Sequence, residues 1–185
     1  ILVIIGPNGA GKSTLLRILM SLDEPTVGRV SVFGKVPQEV RHVFGYVPQR
    51  FQFDRSIPIS VYEFLGLSAH ASGLHEHERA DIIGERLSDV GMSGKEKKQL
   101  GQLSGGELQR VMIARALLTK KDIIMMDEPV AGIDFEGQET IYSLIQKINK
   151  EQGTTFVLVS HELDVVFEYA TSVLCINKRM LCHGK

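Results

Sequence analysis

The segment Gly6-Pro7-Asn8-Gly9-Ala10-Gly11-Lys12-Ser13 fits G-x-x-x-x-G-K-[ST]. It lies between an apolar run, Ile1 to Ile5, and residues with helical spacing, which is the context such a loop needs to hold phosphates. Glycines let backbone N–H groups converge on phosphate oxygens without Cβ clashes. The helix that follows turns the positive end of its dipole toward the same anion. Lys12 can reach the β- and γ-phosphates, and the Ser13 hydroxyl can ligate Mg2+. Thr14, next in the chain, is placed with the nucleotide-contacting set. A second constellation, Ile123-Ile124-Met125-Met126-Asp127-Glu128, sets two carboxylates at the end of an apolar strand, where ligands sit in open α/β sheets. Asp127 is expected to hold the Mg2+ shell, directly or through water. Glu128 is placed to orient or deprotonate an attacking water. The two motifs together predict hydrolysis of a nucleoside triphosphate.

The guanine-reading set is absent. Asp127 is followed by Glu128-Pro129-Val130 rather than by D-x-x-G, and Asn177-Lys178-Arg179-Met180 lacks the Asp of N-K-x-D. A further anion site is present at Leu103-Ser104-Gly105-Gly106-Glu107. Alone, Ser104 and Glu107 read as a capping box. With two glycines leaving the first N–H groups of a helix unobstructed, and with Gln109 and Arg110 beside them, the turn reads as a second phosphate contact.

Strands and helices must alternate to position these groups. The pattern predicts strands at Ile1 to Ile5, Arg29 to Phe33, Val43 to Val47, Asp122 to Met126, Thr155 to Val159, Ser172 to Ile176 and Arg179 to Cys182. Helices are predicted at Thr14 to Leu22, from Ser60 through Leu65, at Glu76 to Val90, from Ser104 to about Leu118, at Glu136 to Glu151 and at His161 to Ala170. That alternation implies an α/β fold with a mostly parallel sheet. Residues 68 to about 103, rich in charge and poor in β-branched side chains, read as a helical insertion.

The 185 residues suit one domain. They are 43% hydrophobic and 23% charged, a globular balance. With Lys+Arg 21 against Asp+Glu 22, the formal charge is −1, which argues against nucleic acid held on a strongly basic face. No apolar run approaches the roughly 18 residues a membrane-crossing helix takes. Two cysteines do not make a disulfide framework and suit a reducing compartment, with Cys175 read as a buried strand residue. Nor is a protein-held transition metal expected. His75 and His77, at i and i+2, point to different faces of a helix, and Cys182-His183 alone supplies too few ligands.

In order and spacing, the chain resembles the nucleotide-binding subunit of an ATP-binding cassette (ABC) transporter. Gly6 to Ser13 resembles the Walker A loop, Gln49 in Tyr46-Val47-Pro48-Gln49 the Q-loop, and Leu103 to Glu107 the ABC signature. Asp127 and Glu128 resemble the Walker B end and catalytic glutamate, Ala131-Gly132-Ile133-Asp134 the D-loop, and His161 in Ser160-His161-Glu162 the switch histidine. The resemblance implies a P-loop NTPase spanning residues 1–185, with a RecA-like core at about 1–67 and 119–185 and a helical subdomain at about 68–118. It implies ATP with Mg2+, with Ser13, Gln49 and Asp127 around the ion. Glu128, His161 and Gln49 are then catalytic, and Ser104, Gly105, Gly106 and Asp134 contact nucleotide. It further implies a head-to-tail homodimer sandwiching ATP, integral membrane permease subunits as partners, and a place at the cytoplasmic face of the cell membrane. The start at Ile1 leads us to expect a piece of a longer chain, with the family's N-terminal antiparallel β part truncated and its adenine-stacking residue unassigned.

Gln49-Arg50-Phe51-Gln52-Phe53-Asp54, Ile57-Pro58-Ile59-Ser60-Val61 and Leu174-Cys175-Ile176-Asn177-Lys178-Arg179 with Cys182-His183-Gly184 resemble subunits of zinc/manganese-type metal importers, served indirectly by an extracytoplasmic metal-binding protein. The alternatives are another import or export system, a non-transport ABC ATPase acting on nucleic acid or ribosomes, and a regulatory nucleotide-binding module without turnover.

Overall fold

The computed structural model describes residues 1–161 and 163–184. In chain order its elements are β1 (Leu2–Ile5), α1 (Lys12–Leu19), β2 (Phe44–Val47), α2 (Val61–Ala71), α3 (Glu76–Asp89), α4 (Gly105–Leu117), β3 (Ile123–Asp127), α5 (Phe135–Gln152), β4 (Thr155–Val159), α6 (Leu163–Tyr169), β5 (Ser172–Ile176) and β6 (Met180–Gly184). Short 3-10 turns precede β2, at Pro37–Val43, and α4, at Leu100–Gln102. The chain folds as two compact units.

The first unit comprises Ile1–Pro48, Lys121–Pro129 and Asn149–Lys185. Its sheet has the order β2-β3-β4-β1-β5-β6. Every neighbouring pair is parallel except β5–β6. The sequences LVII, IIMM and FVLV explain the middle of that order, because strands covered on both faces carry unbroken apolar runs. Ile4, Met125, Val157 and Val159 join Leu16 and Met20 from α1's side of the chain in one buried cluster. Because β1, β3 and β4 are parallel, their carboxyl ends share one edge of the sheet, and the loops leaving them meet there.

Two expectations need correction here. Arg29 to Phe33 is not a strand. Val32 and Lys35 form an isolated antiparallel bridge around a turn in which Phe33 and Gly34 have φ of 52° and 76°. A strand needs a partner along its length, and the turn reverses the chain after one bridge. The cysteines also differ from the reading of Cys175 as a buried strand residue in a reducing compartment: Cys175 is only half-buried. Cys175 and Cys182 stand opposite each other in the β5–β6 ladder, 4.9 Å apart at Cα, and are joined as a disulfide. Composition alone did not reveal this pairing, since it depends on hairpin register. Breaking the bond with dithiothreitol is expected to destabilise the protein by about 2 kcal/mol, as the closed loop is short. That corresponds to a melting temperature lower by roughly 4–8 °C, and Cys175→Ser should melt the same with or without reductant.

The second unit comprises Gln49–Lys120 and Val130–Ile148. Here α2, α3 and α4 pack on one another through Val61, Phe64, Leu65, Ile83, Leu87 and the Val111 to Leu117 stretch. Ser60 starts α2 as predicted. Its Oγ accepts from Glu63 N, while its own N–H donates to the Glu63 carboxylate. Phe51 packs against Phe64, and the Arg115 guanidinium lies 5.8 Å from the Phe51 ring centre. His75 is the N-cap of α3 and so lies outside the helix, and its ring stacks on that of His77 instead of facing away. For the helix predicted at His161 to Ala170, the described part is Leu163–Tyr169, and residue 162 lies outside the described residues.

Candidate functional site

The glycine-rich loop runs from the end of β1 to Gly11, the N-cap of α1. Gly11 has φ of 98°, which an L side chain rarely adopts, so the turn into the helix depends on the missing Cβ. Gly6 is required for a different reason. A Cβ there would stand 2.0 Å from the Ile176 carbonyl oxygen at the end of β5. Beyond that contact, Lys178 in the β5–β6 turn donates its N–H to Ala10 O at 2.9 Å. The turn therefore props the loop from beneath, a support that no residue in the motif announces. The Lys12 side chain is buried, and its Nζ donates to Gly6 O and Pro7 O at 2.9 and 3.1 Å. Pro7, Asn8, Gly9, Ser13 and Thr14 are exposed.

Asp127 closes β3 in register with Val159 and is 8% exposed. Glu128 follows with φ of 48°, and its N–H donates to Val159 O at 3.1 Å. A positive φ on a non-glycine residue costs energy and is held only where surrounding contacts impose it. Here it aims the carboxylate toward the end of β4, where His161 Nδ1 lies 3.7 Å from Glu128 Oε1. Ser160, between them in the chain, is buried and donates its N–H to Ile4 O. The first unit thus gathers the Gly6–Thr14 loop, Asp127, Glu128 and His161 at one sheet edge. Tyr46 was not singled out from the sequence. Its hydroxyl pKa is raised by burial and by the charge of Asp127, which marks it as a neighbour of the acidic strand end. Only the β2–β3 register, Tyr46 opposite Met125, brings it there.

The remaining predicted residues lie in the second unit. Gln49 is its first residue and is exposed. Ser104 caps α4 with a full capping box: its Oγ accepts from Glu107 N at 3.2 Å, and its N–H donates to Glu107 Oε2 at 3.0 Å. Glu107 also pairs with Lys95 and Lys98. Their ammonium groups and the Ser104 N–H lower its pKa to about 2, so the carboxylate is ionised wherever the protein is folded near neutrality. Asp134 Oδ1 accepts from Gly137 N at 3.2 Å in the first turn of α5. The Ile133 side chain lies beside Gly105 and Gly106, 3.9 Å from where either glycine's Cβ would stand. Asp134 and the Ser104–Gly106 turn are therefore neighbours, although about thirty positions separate them in the chain.

Comparison with known proteins gives a consistent result. The family model described as "ABC transporter" matches residues 1–131. The zinc import ATP-binding protein ZnuC of Pasteurella multocida is 41% identical over 184 residues, covering 100% of this chain and 65% of that protein. ZnuC of Saccharophagus degradans is 38% identical, covering 100% of this chain and 68% of its own. The chain thus spans about two thirds of the length of these curated relatives. Among solved structures, the dimeric structure of MJ0796, a bacterial ABC transporter cassette, superimposes with a TM-score of 0.82 at 30% identity, covering 100% of this chain and 84% of that one. CbiO1 of Clostridium perfringens, part of the ABC transporter complex cbiONQ, gives a TM-score of 0.87 at 29% identity, covering 99% and 76%.

Proposed function

The chain belongs to the ABC transporter family as an ATP-binding, ATP-hydrolysing cassette, and from that membership we propose that it powers the import of zinc through a separate membrane permease. The observation that carries the ATPase reading is the convergence of the Gly6–Thr14 loop, Asp127, Glu128 and His161 at the carboxyl ends of β1, β3 and β4. Zinc as cargo is supported by relatives about 40% identical that are zinc import ATP-binding proteins. Among the described residues no helix is long and apolar enough to cross a membrane; in this reading separate permease subunits supply the translocation path. Those subunits place the cassette at the cytoplasmic face of the cell membrane, with an extracytoplasmic zinc-binding protein served indirectly.

In this reading the N–H groups of the Gly6–Ser13 loop and the Lys12 ammonium bind the phosphates of ATP. Ser13 and Asp127 are the groups that would hold Mg2+. Asp127 fits a cation, being a buried carboxylate whose charge is felt at Tyr46. The ion's contribution when bound with ATP is to neutralise charge on the phosphate oxygens. Glu128 accepts a proton from the attacking water, and His161, on the neighbouring strand end, holds that carboxylate in place and meets the γ-phosphate. A second copy, head to tail, supplies Ser104, Gly105 and Gly106 as donors on the far side of the same phosphate, with Asp134 on the same face. Hydrolysis removes the bridging charge and releases the pair.

Deleting the gene in its own host is expected to lower cellular zinc and to leave sugar, amino-acid and peptide uptake unchanged. Normal zinc content and normal zinc uptake in the deletant would remove zinc import from the reading and leave the ATPase intact.

A further inference from the structure

An acidic residue in the first turn of a helix is favourable for the helix, yet it is unfavourable for a phosphate that must bind at the same end. Glu107 is such a residue. It sits at the third position of α4, in the turn whose first N–H groups the helix itself leaves without intrahelical partners. A free carboxylate there would repel the anion and could fold over the N–H groups of Gly105 and Gly106. Neither happens in this structure, because Glu107 is drawn to the side. Its Oε2 accepts from Ser104 N at 3.0 Å and from Lys98 Nζ at 3.0 Å, and Oε1 accepts from Lys95 Nζ. The carboxylate is 12% exposed, whereas the lysines are 40% and 35% exposed. The turn therefore shows solvent two ammonium groups in place of one carboxylate.

The lysines are held by their backbone. They lie on a segment that is tied to the start of α2 by three hydrogen bonds: Val61 N to Lys98 O, Tyr62 N to Glu96 O, and Leu100 N to Ile59 O, at 2.9, 2.9 and 3.0 Å. Lys98 N also donates to Lys95 O at 3.0 Å, which sets the two side chains on one turn. The result is preorganised: the charges that offset Glu107 are fixed before any ligand arrives. The Ser104 hydroxyl gains from the same arrangement. Its oxygen accepts from Glu107 N, so its proton is left to donate outward.

We propose that Lys95 and Lys98 are positioning residues for the phosphate contact made by Ser104, Gly105 and Gly106, acting by neutralising Glu107 and holding it off the helix N-terminus. This rests on the head-to-tail ATP sandwich proposed above. It assigns the two lysines an effect on ATP-driven pairing of two copies and none on the binding of nucleotide to a single copy's own loop.

The test uses the Glu128→Gln background, in which nucleotide is not turned over. Pairing is followed by size-exclusion chromatography against ATP concentration, and single-copy affinity by a fluorescent ATP analogue at protein concentrations too low to pair. Lys95→Met/Lys98→Met is expected to raise the ATP concentration for half-maximal pairing by roughly tenfold, the scale of one uncompensated charge near a partly buried phosphate. Single-copy affinity should stay within about twofold. Adding Glu107→Gln, which keeps the capping hydrogen bonds without the charge, should restore most of the pairing. That rescue separates neutralisation from a merely structural part for the lysines, because a misfolded turn would not be repaired by a third substitution. Unchanged pairing in the double variant, or loss that Glu107→Gln does not relieve, overturns the proposal while leaving the sandwich standing. Failure of the Glu128→Gln parent to pair at all overturns the sandwich and this inference with it.

Discussion

Glu128→Gln is expected to lower ATP hydrolysis by roughly 100- to 10,000-fold, the range for removing a positioned general base. Binding should be almost untouched, since glutamine keeps the shape of the side chain. Glu128 is held at φ 48° with its N–H on Val159 O, so the neighbouring elements impose its direction and the variant inherits it. Phosphate release by the purified protein measures the first part, and fluorescent-nucleotide titration the second. Turnover within tenfold of the parent would take Glu128 out of the proposed role. His161, 3.7 Å from the same carboxylate, would then be the next group to examine.

Gly6→Ala is expected to remove nucleotide binding and to destabilise the protein by about 3 kcal/mol, the upper end for forcing an extra methyl into a packed site. The new Cβ would meet the Ile176 carbonyl oxygen at 2.0 Å. That is a backbone atom of a paired strand, so no side-chain rotation relieves the clash. Either β1 or the end of β5 must shift, and the Lys178 N–Ala10 O bond supporting the loop lies in the path of that shift. At this size the loss corresponds to a melting temperature lower by roughly 6–12 °C. Gly11→Ala is the contrast. A Cβ there meets nothing within 4 Å, and the penalty is the backbone strain of φ +98° alone, about 1–2 kcal/mol. Equal melting temperatures for the two variants would refute the close-approach account of Gly6.

Much of the fold was legible because the buried strands are short apolar runs with abrupt ends. β1, β3 and β4 stop at Gly6, at Asp127 and at Ser160, and the change from apolar to polar or flexible residues marks where each strand leaves the sheet. The starts of α2 and α4 were equally clear, from the Ser60 cap in the first and from the four-residue capping box of Ser104 and Glu107 in the second. Arg29 to Phe33 was misleading for the converse reason. Its alternating β-branched side chains suit a strand, but a strand also needs a partner, and the Phe33–Gly34 turn allows only one bridge. The cysteine pairing was hidden in the same way, because it depends on the β5–β6 register.

The chemistry of the candidate site was determined by residue types and local spacing: a loop able to hold phosphates, two acids at a strand end, a capped glycine turn, and the order in which they occur. Those features are local, requiring only that a strand, a turn or a helix begin at a given residue. What the tertiary structure alone decided is how the groups are supported. Ile176 and Lys178 brace the phosphate loop, Val159 turns Glu128, Tyr46 lies beside the acidic end of β3, and Lys95 and Lys98 hold Glu107 aside. Most of these contacts join residues far apart in the chain and depend on strand order and register or on a carbonyl's direction. The Ile176, Lys178 and Val159 contacts leave no periodicity in a sequence, because any residue with a backbone can supply them, and the Tyr46 and lysine contacts depend on which segments the fold sets side by side.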